Sequence, residues 1–335
     1  MKRLLSIGVI GSGKITSQVH LPVLLNIPNV RIDWIADINE AVAHNTAVAF
    51  GINNAIGIKS LSQLPSCDLA LLAVPVYARS IYLRHFALTD ASVLSEKPFA
   101  ITVAEHLEYL DLFSTKSRIN VGYMRRTFAN VRTFALAVSE GWFGPLRRII
   151  YAEGARTTAT TGGTDNLDRP QSEGGGVLRD LGCHAVDVIG MITGQPSYEV
   201  RTSSILWDGR TDRHIEAKFD LEGLHGKSGT TCTVDFKMSW IADQSNTMQL
   251  EFDQVRLCTD VRPDGDIWLE SIDGQRRNLN IEIIGARSTY QAFGMQWQAV
   301  LESMLSGVPS NFEAAGSLWT TELLEALYLS GGSNK

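Results

Sequence analysis

The 335 residues are 44% hydrophobic and 20% charged, with a formal net charge of −6. That balance excludes a disordered chain and leaves no basic excess for nucleic acid or an anionic membrane surface, so a small molecule is the expected partner. The length exceeds what one hydrophobic core usually supports, and two domains are expected.

The opening Met1-Lys2-Arg3-Leu4-Leu5-Ser6-Ile7-Gly8 breaks its apolar run too early for a signal peptide and reads as a first strand. No stretch reaches the roughly 18 apolar residues of a membrane span. Cys67, Cys183, Cys232 and Cys258 are scattered in apolar contexts without a C-x-x-C pair, which is the pattern of reduced thiols in a cytoplasmic protein.

From residue 4 to about 123, strand-like runs at 4–11, 30–37, 68–75, 92–98 and 118–123 alternate with helical patterns, and this alternation predicts a parallel sheet. Asn39 opens a helix over 40–50 that stops at Gly51, and Thr102 opens one over 103–116 with Glu105 in capping-box position. A helix over 130–140 ending at Gly141 follows, then a strand at 146–155, a Gly/Thr/Asp-rich loop and an apolar helix over 174–193. Short alternating segments at 198–207, 230–237, 247–252, 255–259 and 267–271 predict an antiparallel sheet. Helical patterns over 290–306 and 313–329 close the chain. The expected fold is an α/β Rossmann domain over 1–123 followed by an α+β domain over 124–335 with a large, mostly antiparallel open sheet. The C-terminal helix is expected to pack back near the first domain, with the ligand cleft between the two domains.

Ile7-Gly8-Val9-Ile10-Gly11-Ser12-Gly13-Lys14-Ile15-Thr16 is an apolar strand entering a glycine turn and then a helix, the context of a dinucleotide fingerprint. Gly11 permits the tight turn, Gly13 lets backbone approach phosphate, and Ser12, Lys14 and Ile15 complete the expected cofactor-binding turn. Thr16 stands where the fingerprint usually has Gly or Ala. Asp37 closes the second strand, where a carboxylate accepts the adenosine ribose hydroxyls and repels a 2′-phosphate, so NAD is expected over NADP. Its alternative role is a cap for the following helix. Val74 and Pro75 end one strand and Glu96-Lys97-Pro98 another, which places them at the carboxyl edge where such sheets bind ligands. There Lys97 can project towards the reacting end of the cofactor, and Pro98 can take a cis geometry.

Gly174-Gly175-Gly176 leads into a helix in which Asp180, His184 and Asp187 recur at i, i+4 and i+7 on one face. His184 can exchange a proton near neutral pH, with Asp180 holding it. The alternatives are a satisfied core histidine and a metal site using Cys183; no metal is expected, because no second ligand cluster accompanies them.

In this order, the glycine turn, Glu96-Lys97-Pro98 and Gly174-Gly175-Gly176-x-x-x-Asp180-x-Gly182-x-His184-x-x-Asp187 resemble the glucose-fructose oxidoreductase and inositol dehydrogenase family (Gfo/Idh/MocA). Val121-Gly122-Tyr123-Met124-Arg125-Arg126 and Trp142-Phe143-Gly144-Pro145-Leu146 extend the likeness along nearly the whole chain. The resemblance implies an NAD(P)-dependent dehydrogenase or reductase that moves a hydride to or from a secondary alcohol or ketone of a sugar, cyclitol or nucleotide sugar. It also implies Lys97, Asp180 and His184 as catalytic residues that contact substrate, Arg126 as a further substrate contact, and a homo-dimer or homo-tetramer built through the second-domain sheet. Arg79 and Met124 depart from the family's usual histidine and asparagine. The loop 157–173, with Gly162, Gly163, Asp165, Asn166, Asp168 and Arg169, is a candidate substrate lid. Two other readings compete: an NAD-dependent glycosidase of the same fold, and a non-catalytic sugar- or NAD-sensing regulator.

Overall fold

The computed structural model describes residues 3–156, 169–279 and 284–332. The chain forms two compact units, Met1–Met124 with Phe293–Leu318 and Arg125–Ala292 with Trp319–Lys335.

In the first unit β1 (Leu5–Ile10), α1 (Leu21–Leu24), β2 (Val30–Asp37), α2 (Glu40–Phe50), β3 (Ala55–Gly57), β4 (Leu69–Leu72), α3 (Ser80–Ala87), β5 (Ser92–Ser95), α4 (Val103–Leu112) and β6 (Ile119–Val121) alternate as expected. The six strands pair in parallel in the order β3-β2-β1-β4-β5-β6. That order reverses direction between β1 and β4, the switch point at which doubly wound sheets bind nucleotides. The runs 68–75 and 92–98 are longer than the strands they contain, because each ends in a turn carrying a proline that cannot donate to a ladder. The three half-buried residues of β3 are too few to show a period and give no signal in the sequence.

Local chemistry fixes the helix ends. The Asn39 side chain accepts from Ala41 N–H and Val42 N–H, and Gly51 closes α2 at φ +67°. Thr102 Oγ1 accepts from Glu105 N–H at 3.1 Å, while the Glu105 carboxylate accepts from Ile101 N–H at 2.8 Å, one residue before the cap whose N–H the usual box engages. α4 stops at Leu112, earlier than expected, because fully buried Phe113 turns extended to enter the core. Ile7, Val9, Ile35, Leu69, Leu71 and Leu94 from the sheet share one core with Phe293, Trp297, Val300, Leu301 and Phe312.

The second unit contains α5 (Ala129–Ser139), β7 (Leu146–Gly154), α6 (Cys183–Thr193), β8 (Ser197–Asp208), β9 (Thr211–Glu222), β10 (Thr231–Ser239), β11 (Thr247–Phe252), β12 (Val255–Asp260), β13 (Ile267–Ser271) and β14 (Arg276–Asn278). α7 (Thr289–Ser306) and α8 (Leu318–Ser330) close the chain. The eight strands run β14-β13-β12-β11-β7-β10-β9-β8, antiparallel except for the parallel pair β7 and β10. A Rossmann sheet and a large, mostly antiparallel sheet are therefore both present.

β9 is absent from the strands that alternation predicts. Its buried Ile215, Ala217, Phe219 and Leu221 alternate with charged residues dense enough to read as loop. Those charges are paired across strands instead, Lys237 with Glu216 at 2.5 Å and Arg201 with Asp220 at 2.8 Å. The single helix expected over 174–193 is a π-helical turn over Leu178–Gly182 that leads into α6. Of the candidate lid, 157–168 lie outside the described residues. Its last residues form a short 3₁₀ turn, Gln171–Glu173.

Candidate functional site

At the carboxyl end of β1 the chain turns on Gly11, whose φ is +94°. A Cβ there would lie 2.3 Å from the Ala73 carbonyl oxygen and 3.2 Å from Val74 Cγ1, so only glycine lets the turn cross the end of β4 this closely. Around Gly13 the space is open, with nothing within 4 Å of a Cβ position. Ser12 Oγ is buried with no hydrogen-bond partner among the described residues. An open glycine, an unused buried hydroxyl and a backbone turn at the switch point together fit a pyrophosphate group. Lys14 and Ile15 stand exposed on the same turn, as does Pro75 beyond β4.

Thr16, the departure from the fingerprint, has a use of its own. Its Oγ1 donates to the Gly11 carbonyl at 2.6 Å, and a π-helical turn over Thr16–His20 follows. Asp37 works on two sides, with Oδ2 accepting from Ser12 N–H at 2.8 Å and Oδ1 from Asn39 N–H at 2.9 Å. The carboxylate thus ties the glycine turn to the end of β2 and supports the entry to α2, where Asn39 itself is the cap.

Gly11→Ala and Gly13→Ala are expected to separate fold from binding. The first forces a side chain into left-handed backbone and against a buried strand, and should destabilise the protein by at least about 2 kcal/mol. The second adds a methyl to open space, so it should leave the melting temperature unchanged while weakening NAD(P) binding measured by calorimetry.

Beyond β5 the chain reaches Glu96-Lys97-Pro98, with the Lys97–Pro98 peptide cis. Arg79 is buried at 1% exposure and clamps this segment: Nη1 donates to the Pro98 carbonyl and, at 3.1 Å, to Phe99 O, while Nη2 donates to Val74 O at 3.0 Å. The guanidinium so joins the ends of β4 and β5. Glu96 is nearly buried. Burial pushes its carboxyl up, while the His20 hydrogen bond and the nearby charges of Lys97 and Arg79 push it down, and it lies below the ordinary glutamate value.

In the second unit Gly176 sits at φ +102°, and a Cβ there would lie 1.7 Å from Asp212 Oδ1. Sequence reasoning misses Asp212, since nothing in a charged strand marks one aspartate as buried. Its Oδ2 accepts from Leu178 N–H and its Oδ1 from the Tyr328 hydroxyl, each at 2.9 Å. Burial raises the Asp212 carboxyl above its usual range despite these donors. The glycines and Asp212 therefore seat the start of the π-helical turn that carries Asp180.

Asp180 is half-buried and its N–H donates to Gly176 O at 3.0 Å. His184 lies one turn later at 5% exposure and Asp187 at 2%. Arg126 Nε donates to Asp187 Oδ2 at 2.8 Å and Nη2 to Oδ1 at 2.5 Å, with Thr320 Oγ1 3.3 Å from Oδ1. The polar stripe thus begins at the candidate acid-base residues and ends in a buried ion pair. A second such pair stands in the same unit, where Arg125 meets both Glu153 oxygens at 2.7 Å and the Tyr151 hydroxyl at 3.0 Å. No described helix is long and apolar enough to cross a membrane.

Residues 5–123 match the family model described as oxidoreductase family, NAD-binding Rossmann fold (GFO_IDH_MocA). The rhizopine catabolism protein MocA of Rhizobium meliloti is 24% identical over 206 residues, 61% of this chain and 62% of that protein. Matches to the curated relatives run over less than two thirds of their lengths. Among solved structures, KijD10, a 3-ketoreductase from Actinomadura kijaniata in complex with NADP and TDP-benzene, is 18% identical with a TM-score of 0.81, covering 97% of each chain. An aldose-aldose oxidoreductase from Caulobacter crescentus is 17% identical with a TM-score of 0.81, covering 98% of each. Both share the fold along nearly the full length. Residues 5–123 thus belong to the Gfo/Idh/MocA oxidoreductase family as its NAD(P)-binding Rossmann domain.

Proposed function

We propose that the protein is an NAD(H)-dependent dehydrogenase or reductase that transfers hydride to or from one carbinol carbon of a sugar, cyclitol or nucleotide sugar. The observation that carries this reading is the coincidence, at the switch-point edge of one sheet, of the Gly11-Ser12-Gly13 turn, Asp37 and Glu96-Lys97. The substrate class is supported by the names of the relatives, a 3-ketoreductase and an aldose-aldose oxidoreductase.

A bound nicotinamide supplies or accepts the hydride. The chain's own residues do the rest. The Lys97 ammonium donates a hydrogen bond to the reacting oxygen, His184 takes up or returns its proton, and Asp180 orients these groups. Asp37 faces the adenosine ribose, where its charge opposes a 2′-phosphate and selects NAD.

The test is a screen of the purified protein with NAD and NADP against inositols, aldoses, amino sugars and nucleotide sugars, following absorbance of the reduced cofactor. Turnover with NAD is expected on at least one polyol ring. Asp37→Ser is expected to move the NAD over NADP preference in kcat/KM by about tenfold or more towards NADP. A wild-type preference for NADP would refute the role of Asp37, and sugar cleavage without net NADH would favour the glycosidase.

A further inference from the structure

We propose that His20 and Trp297 are positioning residues for the reacting groups: a neutral imidazole, fixed in its Nε2–H tautomer by the Trp297 indole, anchors the Glu96 carboxylate and with it the peptide that bears Lys97. The proposal rests on the reading of Lys97 given above. It assigns work to two residues that carry no motif and stand 277 positions apart.

Three groups form the relay, all in the first unit. Trp297 Nε1 lies 3.0 Å from His20 Nδ1, and His20 Nε2 lies 2.9 Å from Glu96 Oε1. The other carboxylate oxygen, Glu96 Oε2, accepts the Lys97 N–H at 3.2 Å. Both His20 and Trp297 are wholly buried, and the imidazole is held edge-on by Phe293 at 5.0 Å and Trp297 at 5.8 Å.

An indole N–H can only donate. Nδ1 of His20 must therefore offer a lone pair, which leaves the single ring proton on Nε2, pointing at Glu96. A doubly protonated ring would set two N–H groups against each other, and the other tautomer would lose both bonds. His20 in this frame is no proton shuttle but a fixed donor.

The consequence lies one residue along the chain. Glu96 is nearly buried, and the charges of Lys97 and Arg79 act to lower its pKa. Each carboxylate oxygen is engaged, Oε1 by the imidazole and Oε2 by the backbone of Lys97 itself. Gly122 leaves just enough room, since a Cβ there would stand 3.0 Å from Oε1. A neutral donor holds the carboxylate without cancelling its charge, so the attraction between Glu96 and Lys97 is kept for the lysine. Lys97 then serves as a charged hydrogen-bond donor, and proton exchange falls to His184.

The first test needs no substrate. In ¹⁵N-imidazole-labelled full-length protein, with the signal assigned by its loss in His20→Gln, His20 is expected to show a protonated Nε2 and a bare Nδ1 under the conditions of the activity assay. Trp297→Phe should abolish this single-tautomer signature. A doubly protonated ring, or a proton on Nδ1, overturns the relay whatever the enzyme turns over.

The second test is kinetic and uses the substrate that emerges from the screen. His20→Phe is expected to lower kcat by about tenfold to a hundredfold, the effect of losing one hydrogen bond to a charged group, with KM changed by less than about threefold. The amide of His20→Gln can donate to Glu96 while its oxygen accepts from Trp297, so this variant should recover most of kcat. If Gln fails to rescue, and kcat falls only in step with melting temperature and NAD affinity, the role is packing alone and the proposal is overturned. If no variant and no wild-type sample turns over any substrate, the functional reading fails while the NMR signature still decides the relay.

Discussion

Asp187→Ala is expected to destabilise the protein by about 3–5 kcal/mol, a large share of the 5–15 kcal/mol that holds a typical domain. The Arg126 and Asp187 side chains retain 8% and 1% exposure, so removing the acid leaves a guanidinium with little water to replace its partner. Desolvation matters here more than attraction. A buried pair contributes little net stability over apolar residues of the same volume, whereas half of one is costly. Arg126→Met combined with Asp187→Leu should therefore recover most of what Asp187→Ala loses. Urea unfolding midpoints for the three variants test this, and a double variant no better than Asp187→Ala would show that the packing, not the charge, is at stake. Asp253→Ala supplies the control: the Arg147–Asp253 pair is about half exposed on both sides, and no measurable shift is expected from it. The same set bears on substrate binding. If Arg126 also contacts substrate, the double variant will fold normally yet keep a raised KM.

The second large effect concerns chemistry. His184→Gln is expected to lower kcat by about a hundredfold to ten-thousandfold, the usual range for a positioned acid or base, and Lys97→Ala by about a hundredfold to a thousandfold, that of a donor aimed at the reacting oxygen, each with NAD binding retained. If both act on one reacting oxygen, as proposed, the double variant should be scarcely slower than the worse single one. Full additivity of the two losses would mean that they serve separate steps, and an unchanged kcat in either single variant would remove that residue from the mechanism. Glutamine at 184 keeps bulk and polarity in a place of 5% exposure, so a loss of activity there reads as lost proton transfer.

Much of this architecture is legible in the sequence because it is written locally. Asn39 and Gly51 cap α2, the β1 run ends on its glycines, and the alternation of strand and helix patterns by itself names a parallel sheet. What stays hidden is of two kinds. β9 hides its apolar period behind charged residues that look like loop until their partners on β8 and β10 are known. Arg79, His20, Asp212 and Trp297 hide because each takes its meaning from a distant partner. An arginine is marked as buried only by the carbonyls it meets, and one histidine in an apolar stretch looks like any other. The spacing over 174–193 predicts a regular helix, but spacing cannot reveal a π-helical turn, which inserts no residue type of its own.

The core that Phe293, Trp297, Val300 and Phe312 share with β1, β2, β4 and β5 has a consequence for how the protein is made. A ribosome delivers the six parallel strands first, but the side chains that complete their core arrive only after all eight strands of the second sheet. The nascent nucleotide-binding sheet must therefore wait with Leu5, Val9 and Leu69 incompletely covered, a state exposed to misassociation and chaperone capture. Such contacts, nearly three hundred positions apart (277 between His20 and Trp297), also raise contact order and slow the final step. The strand that leads into the glycine turn therefore completes its packing only once Trp297 has been made.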